Sequence, residues 1–317
     1  MKKYIIGFLI FIVVLVIIGM ASGNGSYEED SYEEPASISA LASIPEETMI
    51  EEEVTPAEET APVVVDLAAI EIPVLETSRS EQLLSRVGYV TSYNKDTRCP
   101  NWVAWHLTKD HTDGSVTRNG VPYYDEEGKA IGIGYVTPET CRGPYFFDRE
   151  AEKPSPSVKD YPNNRYGMSH GHICPAGDNK WSKAAMNQSF LMTNMCPQDN
   201  DLNGGDWRGL EERCRSWARR FGDIYIVAGP LFQESANRTI GENKVHVPDS
   251  FFKVILCLTG SPKAIGFIFP NTGEHHELRD YVYSVDEVEG KAGIDFFPNL
   301  PDEVEEEVER ESNLNQW

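Results

Sequence analysis

The apolar residues of the chain occur in two patterns, one typical of strands and one typical of a helix. Segments rich in aromatic and β-branched residues predict strands at Val87–Tyr93, Trp102–Leu107, Ile224–Ala228, Phe251–Leu258 and Ala264–Phe269. A helical period follows Asn203, where apolar residues recur at Trp207, Leu210, Cys214, Trp217 and Phe221. Residues 109–165 are rich in Gly, Pro and Asp, which predicts loops with short strands. Strands, one long helix and long loops together predict an α+β domain.

The N-terminus predicts a targeting segment over residues 1–21. Met1-Lys2-Lys3 precedes an apolar run from Tyr4 to Met20, and Ala21-Ser22-Gly23 offers small residues for cleavage. The run suits either a signal peptide or a membrane anchor. With its positive flank inside, either one places the rest outside the cytoplasm: secreted, periplasmic or tethered to a membrane.

Charge divides the remaining chain. The net charge is −23, and residues 22–80 contain 15 acidic residues and one arginine, which predicts a disordered acidic linker. We place the folded domain at 81–304 and an acidic C-terminal tail or frayed helix at 305–317. The domain itself is only mildly acidic, so a polyanion would have to be attracted by a local patch.

Six cysteines are an even number in an exported chain, which favours one to three disulfides. The chain has no CxxC pair and no Cys/His cluster at zinc spacing, and this speaks against a structural zinc site.

The strongest candidates for functional side chains lie in residues 170–178, which read HGHICPAGD. His172 is a candidate general base, because imidazole titrates near neutral pH and takes a proton from water. The simpler alternative is a loop histidine that only bonds the backbone. His170 would share a face with His172 on a strand, and its role stays open.

A second candidate group begins at Asn203. Its amide oxygen would suit Mg²⁺, although asparagine before a helix is equally a favoured N-cap. On a continuous helix, Glu211 would lie roughly 80° around the axis from Asn203, so that the two flank one site. Glu211 and Arg215 are also spaced as an ordinary exposed ion pair at i and i+4.

Several ordered blocks resemble one known family. They are 101–110 (NWVAWHLTKD), 117–119 (TRN), 171–175 (GHICP), 193–198 (TNMCPQ), 202–211 (LNGGDWRGLE) and 227–231 (VAGPL). Together they resemble the DNA/RNA non-specific endonucleases of the ββα-metal, or His-Me finger, superfamily. This resemblance implies a ββα-metal finger nuclease with a central, mainly antiparallel sheet flanked by helices.

The resemblance also implies roles for individual residues. His172 matches the general base, and Asn203 matches the direct protein ligand of a divalent cation, Mg²⁺ or alternatively Mn²⁺. Glu211 matches the acid that holds a metal-bound water. Arg118 and Arg215 match cationic residues near the scissile phosphate.

Two further positions match the family less clearly. Asn194 lies in a family motif and is a candidate substrate contact or a structural residue. His170 stands where the family commonly has arginine, after Ser169 in place of aspartate, so a fixed charge is missing. We keep His170 as a candidate substrate contact.

We therefore expect a metal-dependent, sugar-non-specific endonuclease acting on DNA and RNA. Two alternatives stay open: a phosphodiesterase acting on small nucleotides or other phosphate esters, and a catalytically degenerate domain that binds nucleic acid or an envelope protein.

Overall fold

The computed structural model describes residues 69–118, 121–124, 130–134, 145–161, 167–232 and 238–317. The predicted targeting segment and all but the last part of the predicted linker lie outside these residues. Among the helices that the structure describes, none is long and apolar enough to cross a membrane.

The described chain forms fifteen strands and six helices. The strands are β1 (Val74–Leu75), β2 (Gln82–Ser85), β3 (Val90–Asn94), β4 (Cys99–Thr108), β5 (Val121–Tyr124), β6 (Ala130–Gly134), β7 (Met168–His172), β8 (Met195–Asp199), β9 (Asp223–Leu231), β10 (Thr239–Ile240), β11 (Val245–His246), β12 (Ser250–Cys257), β13 (Lys263–Pro270), β14 (Val282–Tyr283) and β15 (Ile294–Asp295). The helices are α1 (Lys109–Thr112), α2 (Lys183–Ser189), α3 (Asn200–Gly204), α4 (Asp206–Phe221), α5 (Val285–Ala292) and α6 (Asp302–Glu309).

A seven-stranded sheet organises the domain, with strand order β14-β13-β12-β9-β4-β3-β2. Every neighbouring pair in it is antiparallel. Four two-stranded sheets accompany it: β1 with β15, β5 with β6, β7 with β8, and β10 with β11. This confirms the predicted α+β class with a mainly antiparallel sheet.

The two faces of the sheet are covered by different helices. Along β12, Phe251 and Ile255 join the core that contains Trp207 and Trp217 of α4. The alternate residues of β12 join the core that contains Val288 of α5 and Val308 of α6. Since side chains on a strand alternate between faces, α4 lies on one side of the sheet and α5 and α6 on the other.

The predicted helix over Asn203–Phe221 is in fact two helices. Gly205, with φ −105° and ψ −108°, separates α3 from α4 and is the N-cap of α4. Asp199 caps α3 through its side chain. Asn203 therefore lies inside a short helix and caps neither one, and the predicted 80° angle to Glu211, which assumed one helix, does not apply.

The five described cysteines, Cys99, Cys174, Cys196, Cys214 and Cys257, are all buried free thiols. The expected disulfides are therefore absent among them, and apolar packing takes their place in the core. Cys141 lies outside the described residues.

The end of the chain packs onto the domain. The segment predicted as an acidic tail from residue 305 begins inside α6, whose Val308 is buried. The ring of Trp317 lies 5.1 Å from that of Trp217 and 6.0 Å from that of Phe221, measured between centroids.

We expect Trp317→Ala to lower the free energy of unfolding by about 1–2 kcal/mol, because a half-buried aromatic contact is lost. Urea denaturation measures this, with Trp317→Phe as the control that keeps most of the contact. Equal stability of Trp317→Ala and the unaltered chain would show that the terminal contact contributes nothing.

Candidate active site

The candidate base lies at the end of a small hairpin. In the β7–β8 pairing, His172 is opposite Met195 and Gly171 is opposite Cys196. A Cβ atom on Gly171 would lie 2.5 Å from the side chain of Gln198. Glycine is therefore required here by packing within the hairpin, and not by the approach of a ligand.

His172 is a neutral imidazole in an aromatic setting. Its ring meets Phe190 edge-on, with 4.9 Å between centroids. Its Nε2 is shielded from solvent and has no hydrogen-bond partner among the described residues. Burial, and then the charge of Arg118, holds the pKa of His172 well below its ordinary value. The ring is thus able to accept a proton at neutral pH.

His170 does not restore the charge of the arginine that the family commonly has there. Its ring is stacked between Tyr145, at 3.9 Å, and Tyr161, at 4.3 Å. Burial lowers the pKa of His170 to about 3. The side chain is therefore neutral at physiological pH, and it packs between the two rings.

The helices are tied to this hairpin by two hydrogen bonds. Trp207 Nε1, in the first turn of α4, donates to the carbonyl oxygen of His172 over 3.2 Å. Ser169 Oγ on β7 donates to Asn200 Oδ1 on α3 over 2.6 Å. Asn203 lies in the last turn of α3 and is partly exposed.

Arg215 pairs with an acid outside its own helix. Arg215 Nη1 donates to Asp178 Oδ1 over 2.8 Å, and Trp105 Nε1 donates to Asp178 Oδ2 over 3.1 Å. The simple i,i+4 ion pair between Glu211 and Arg215 is thus replaced by a bond to the loop after His172.

The ionised form of Glu211 is disfavoured in this environment. Burial raises the pKa of Glu211 to about 7, and Asp178 adds to the effect. Lys253, Arg215 and Arg118 oppose it, and Lys253 is the strongest of the three. Glu211 therefore interacts electrostatically with Lys253, Arg215 and Arg118.

Sequence reasoning missed Lys253. It lies on β12 with no exposed surface, and its Nζ has no hydrogen-bond partner among the described residues. The ammonium lies 4.2 Å from the ring centroid of Trp207 and 5.4 Å from that of Trp105. A single lysine inside the otherwise apolar segment 251–258 was the available signal, because lysine is almost never fully buried without a charged or aromatic neighbour.

Arg118 is the remaining candidate cation of this group. Its side chain is exposed, and its guanidinium carbon lies 5.6 Å above the ring of Phe190. Since Phe190 also contacts His172, Arg118 and His172 share one aromatic support.

Asn194 supports the loop from inside. Its Oδ1 accepts from the amide of Cys174 over 2.9 Å, and its Nδ2 donates to the carbonyls of Cys174 and Ser189 over 2.8 Å each. The residue has no exposed surface. This geometry favours the structural role over the substrate contact, because every polar atom of the side chain is already used.

The residues fit a hard divalent cation. Asn203 has an amide oxygen that caps neither helix, and Glu211 has a partly buried carboxylate that interacts with several cations. Amide and carboxylate oxygens are the ligands that Mg²⁺ or Mn²⁺ accepts, with water filling the other positions.

A histidine-bearing β hairpin tied to helices that carry Asn203 and Glu211 defines the ββα-metal class of nuclease fold. The chain belongs to the DNA/RNA non-specific endonuclease family, whose model matches residues 67–303.

Similar proteins agree with this assignment. The mitochondrial nuclease EXOG of Danio rerio is 32% identical over 233 residues, which cover 67% of this chain and 60% of the relative. Nuclease C1 of Cunninghamella echinulata is 31% identical over 234 residues, which cover 70% and 84%. A chain in the crystal structure of the EndoG/EndoGI complex has the same fold, with a TM-score of 0.56 at 24% identity and coverage of 70% and 87%. The match spans about three fifths of the Danio rerio nuclease.

We expect Asn194→Ala to lower the free energy of unfolding by about 3–5 kcal/mol, because it leaves one amide and two carbonyls unpaired in the core. Chemical denaturation measures the loss. Asn187→Ala, on the partly exposed side of α2, is the matched control and should cost much less; equal losses would contradict the structural role.

We expect Lys253→Met to raise the pKa of Glu211 above its value of about 7, because the strongest cation opposing its protonation is removed. NMR titration of ¹³C-labelled glutamate carboxyls in metal-free protein measures this, with Glu211→Gln identifying the signal. Lys263→Met on the adjacent strand is the control. An unchanged Glu211 titration in folded Lys253→Met would refute the coupling.

Proposed function

We propose that this protein is a metal-dependent, sugar-non-specific endonuclease that hydrolyses phosphodiester bonds of DNA and RNA. The proposal rests mainly on the state of His172. Its imidazole is neutral and its Nε2 has no hydrogen-bond partner among the described residues. A hydrogen bond from Trp207 joins its hairpin to the helix that carries Glu211. Membership of the DNA/RNA non-specific endonuclease family supports the same reaction.

In this mechanism, His172 removes a proton from the attacking water. The ring suits that step because its low pKa keeps it unprotonated at neutral pH. The low pKa also makes it a weaker base in the resting protein. The negative charge of a bound phosphodiester would stabilise the imidazolium as the proton arrives.

The cations act on the phosphate and on Glu211. Arg118 is exposed beside His172 and is able to meet a phosphoryl oxygen, while Arg215 is held in place by Asp178. The positive charge of Lys253 favours the ionised form of Glu211. A divalent cation, Mg²⁺ with Mn²⁺ as a substitute, would be held by Asn203 and by water bound to Glu211, and it supplies charge neutralisation at the phosphate and leaving oxygen.

The proposed substrate range follows from the kinds of groups at the site. Arginine, amide and imidazole groups recognise the phosphate and attack it, and phosphate contacts carry no sequence information directly. A backbone-directed reaction suits both DNA and RNA. The relatives support this by name, since they are themselves nucleases.

We propose further that the domain works outside the cytoplasm. This rests on the two lysines and the apolar run at residues 2–20, with the acidic segment 22–80 acting as a spacer from the membrane when the run is retained. Fractionation of cells expressing the full chain, with mass determination of its N-terminus, tests both parts. Full-length protein in the cytosol would refute the localisation.

We expect His172→Ala to reduce cleavage of plasmid DNA and of RNA by about 10²–10⁴-fold, because the proton acceptor is lost. Rates are measured in Mg²⁺ and in EDTA. The control is His106→Ala. His106 forms a hydrogen bond with Asp223 and lies on β4, on the face opposite to the core residues Trp105 and Leu107. Undiminished cutting by folded His172→Ala would sink the assignment of the base.

The same samples separate the proposal from its alternatives. A small chromogenic phosphodiester hydrolysed much faster than plasmid DNA would identify a small-molecule phosphodiesterase. Mg²⁺ binding measured by calorimetry should weaken in Asn203→Ala. A protein that binds DNA without cutting it, and whose Mg²⁺ affinity ignores Asn203, would be a binding domain.

A further inference from the structure

A second group of oxygen ligands lies far from the candidate base in the fold. One carboxylate oxygen from each of Asp286, Glu289 and Glu309 lies within 4.8 Å of the other two. Asp286 and Glu289 belong to α5 and Glu309 to α6, so the group joins the two helices. These helices cover the face of the sheet opposite to α4.

Glu309 is the unusual member of the group. It is 6% exposed, and its Oε1 is shielded from solvent without a hydrogen-bond partner in the described chain. A buried carboxylate normally has such a partner, since its desolvation is costly. The adjacent oxygens are themselves carboxylates, which accept hydrogen bonds and donate none when ionised.

The surroundings add negative charge. Burial raises the pKa of Glu309 to about 9, and the four largest charge effects on it come from Glu289, Glu305, Asp286 and Asp295. All four raise it. Several carboxylates thus surround a buried acid, and its strongest charged neighbours include no cation.

One ligand is already held in position. Glu289 Oε1 accepts from the backbone amide of Phe296 over 2.8 Å. This bond leaves its second oxygen available and fixes the side chain against the end of α5. The three carboxylates come from two helices, one buried, one anchored and one exposed, and the exposed Asp286 leaves one side of the group accessible to water.

We propose that Asp286, Glu289 and Glu309 form a binding site for Ca²⁺ that ties α6 to α5. Ca²⁺ accepts six to eight oxygen ligands in flexible geometry, which suits three carboxylates completed by water. Mg²⁺ demands near-ideal octahedral geometry and dehydrates reluctantly, so it fits a partly buried acid less well. The site is structural and separate from Asn203 and Glu211.

Thermal unfolding of the full chain in CaCl₂ and in EDTA tests the proposal. The Asn203→Ala background removes the candidate catalytic ligand, so that any remaining effect belongs to the second site. At ten times the dissociation constant, Ca²⁺ should raise the Tm of that background by about 3–6 °C. Adding Asp286→Asn or Glu309→Gln should abolish most of the shift.

The reciprocal comparison distinguishes a cation site from a merely buried acid. In EDTA, Glu309→Gln should melt close to the Tm of its parent, because the amide fills the same space and no bound ion is lost; in Ca²⁺ the parent should melt higher. Glu303→Gln, an exposed acid of the same helix outside the group, should keep the full Ca²⁺ shift.

Two results would overturn the proposal. One is the absence of any Ca²⁺ shift in the parent up to 10 mM, roughly a thousand times the affinity range of sensor sites. The other is an equal shift in the parent and in Asp286→Asn. Because Asp286 is exposed, its substitution leaves the fold intact even if Glu309→Gln does not fold.

Discussion

The buried ion pair between Asp178 and Arg215 connects the two halves of the candidate site. Asp178 lies on the loop that follows His172, and Arg215 lies on α4, the helix that carries Glu211. A Cβ atom on Gly177 would lie 2.7 Å from Arg215 Nη1, so glycine is needed for the guanidinium to reach its partner. If either charge were removed, the other would stay buried without compensation, a cost of about 3–5 kcal/mol. This bond therefore joins the loop after His172 to the helix that carries Glu211.

The same pair explains how an acidic protein can present a site suited to phosphate. The net charge of −23 is spread over the whole chain, whereas the site balances its own charges. Arg215 compensates Asp178, Lys253 opposes the protonation of Glu211, and Arg118 faces outward. Interactions across a few ångströms in a poorly solvated cleft exceed those from screened charges elsewhere on the surface. Local arrangement, and not net charge, would therefore govern the approach of the proposed phosphodiester substrate.

Periodicity predicted the parts of the fold that depend on local burial. The strands around Trp102–Leu107 and Phe251–Leu258 and the apolar face of α4 follow from side-chain alternation and helical spacing. The break at Gly205 was not predicted, because the apolar period runs through it unchanged. The partner of Arg215 could not be predicted either, since Asp178 is distant in sequence and the i,i+4 acid is the obvious local alternative. The partners of residues that are distant in sequence can be identified only when the fold is known.

His170 shows how a family position can change without an equivalent replacement. An arginine there would bring a permanent charge beside His172, whereas histidine between Tyr145 and Tyr161 is neutral and stacked. The two rings cover both faces of the imidazole, and this burial opposes its protonation. In the proposed reaction, positive charge near the phosphate would therefore come from Arg118, Arg215 and a bound cation. On the proposed function, the site would depend on metal more heavily than one that retains the arginine, because fewer fixed charges would share the neutralisation of the phosphate.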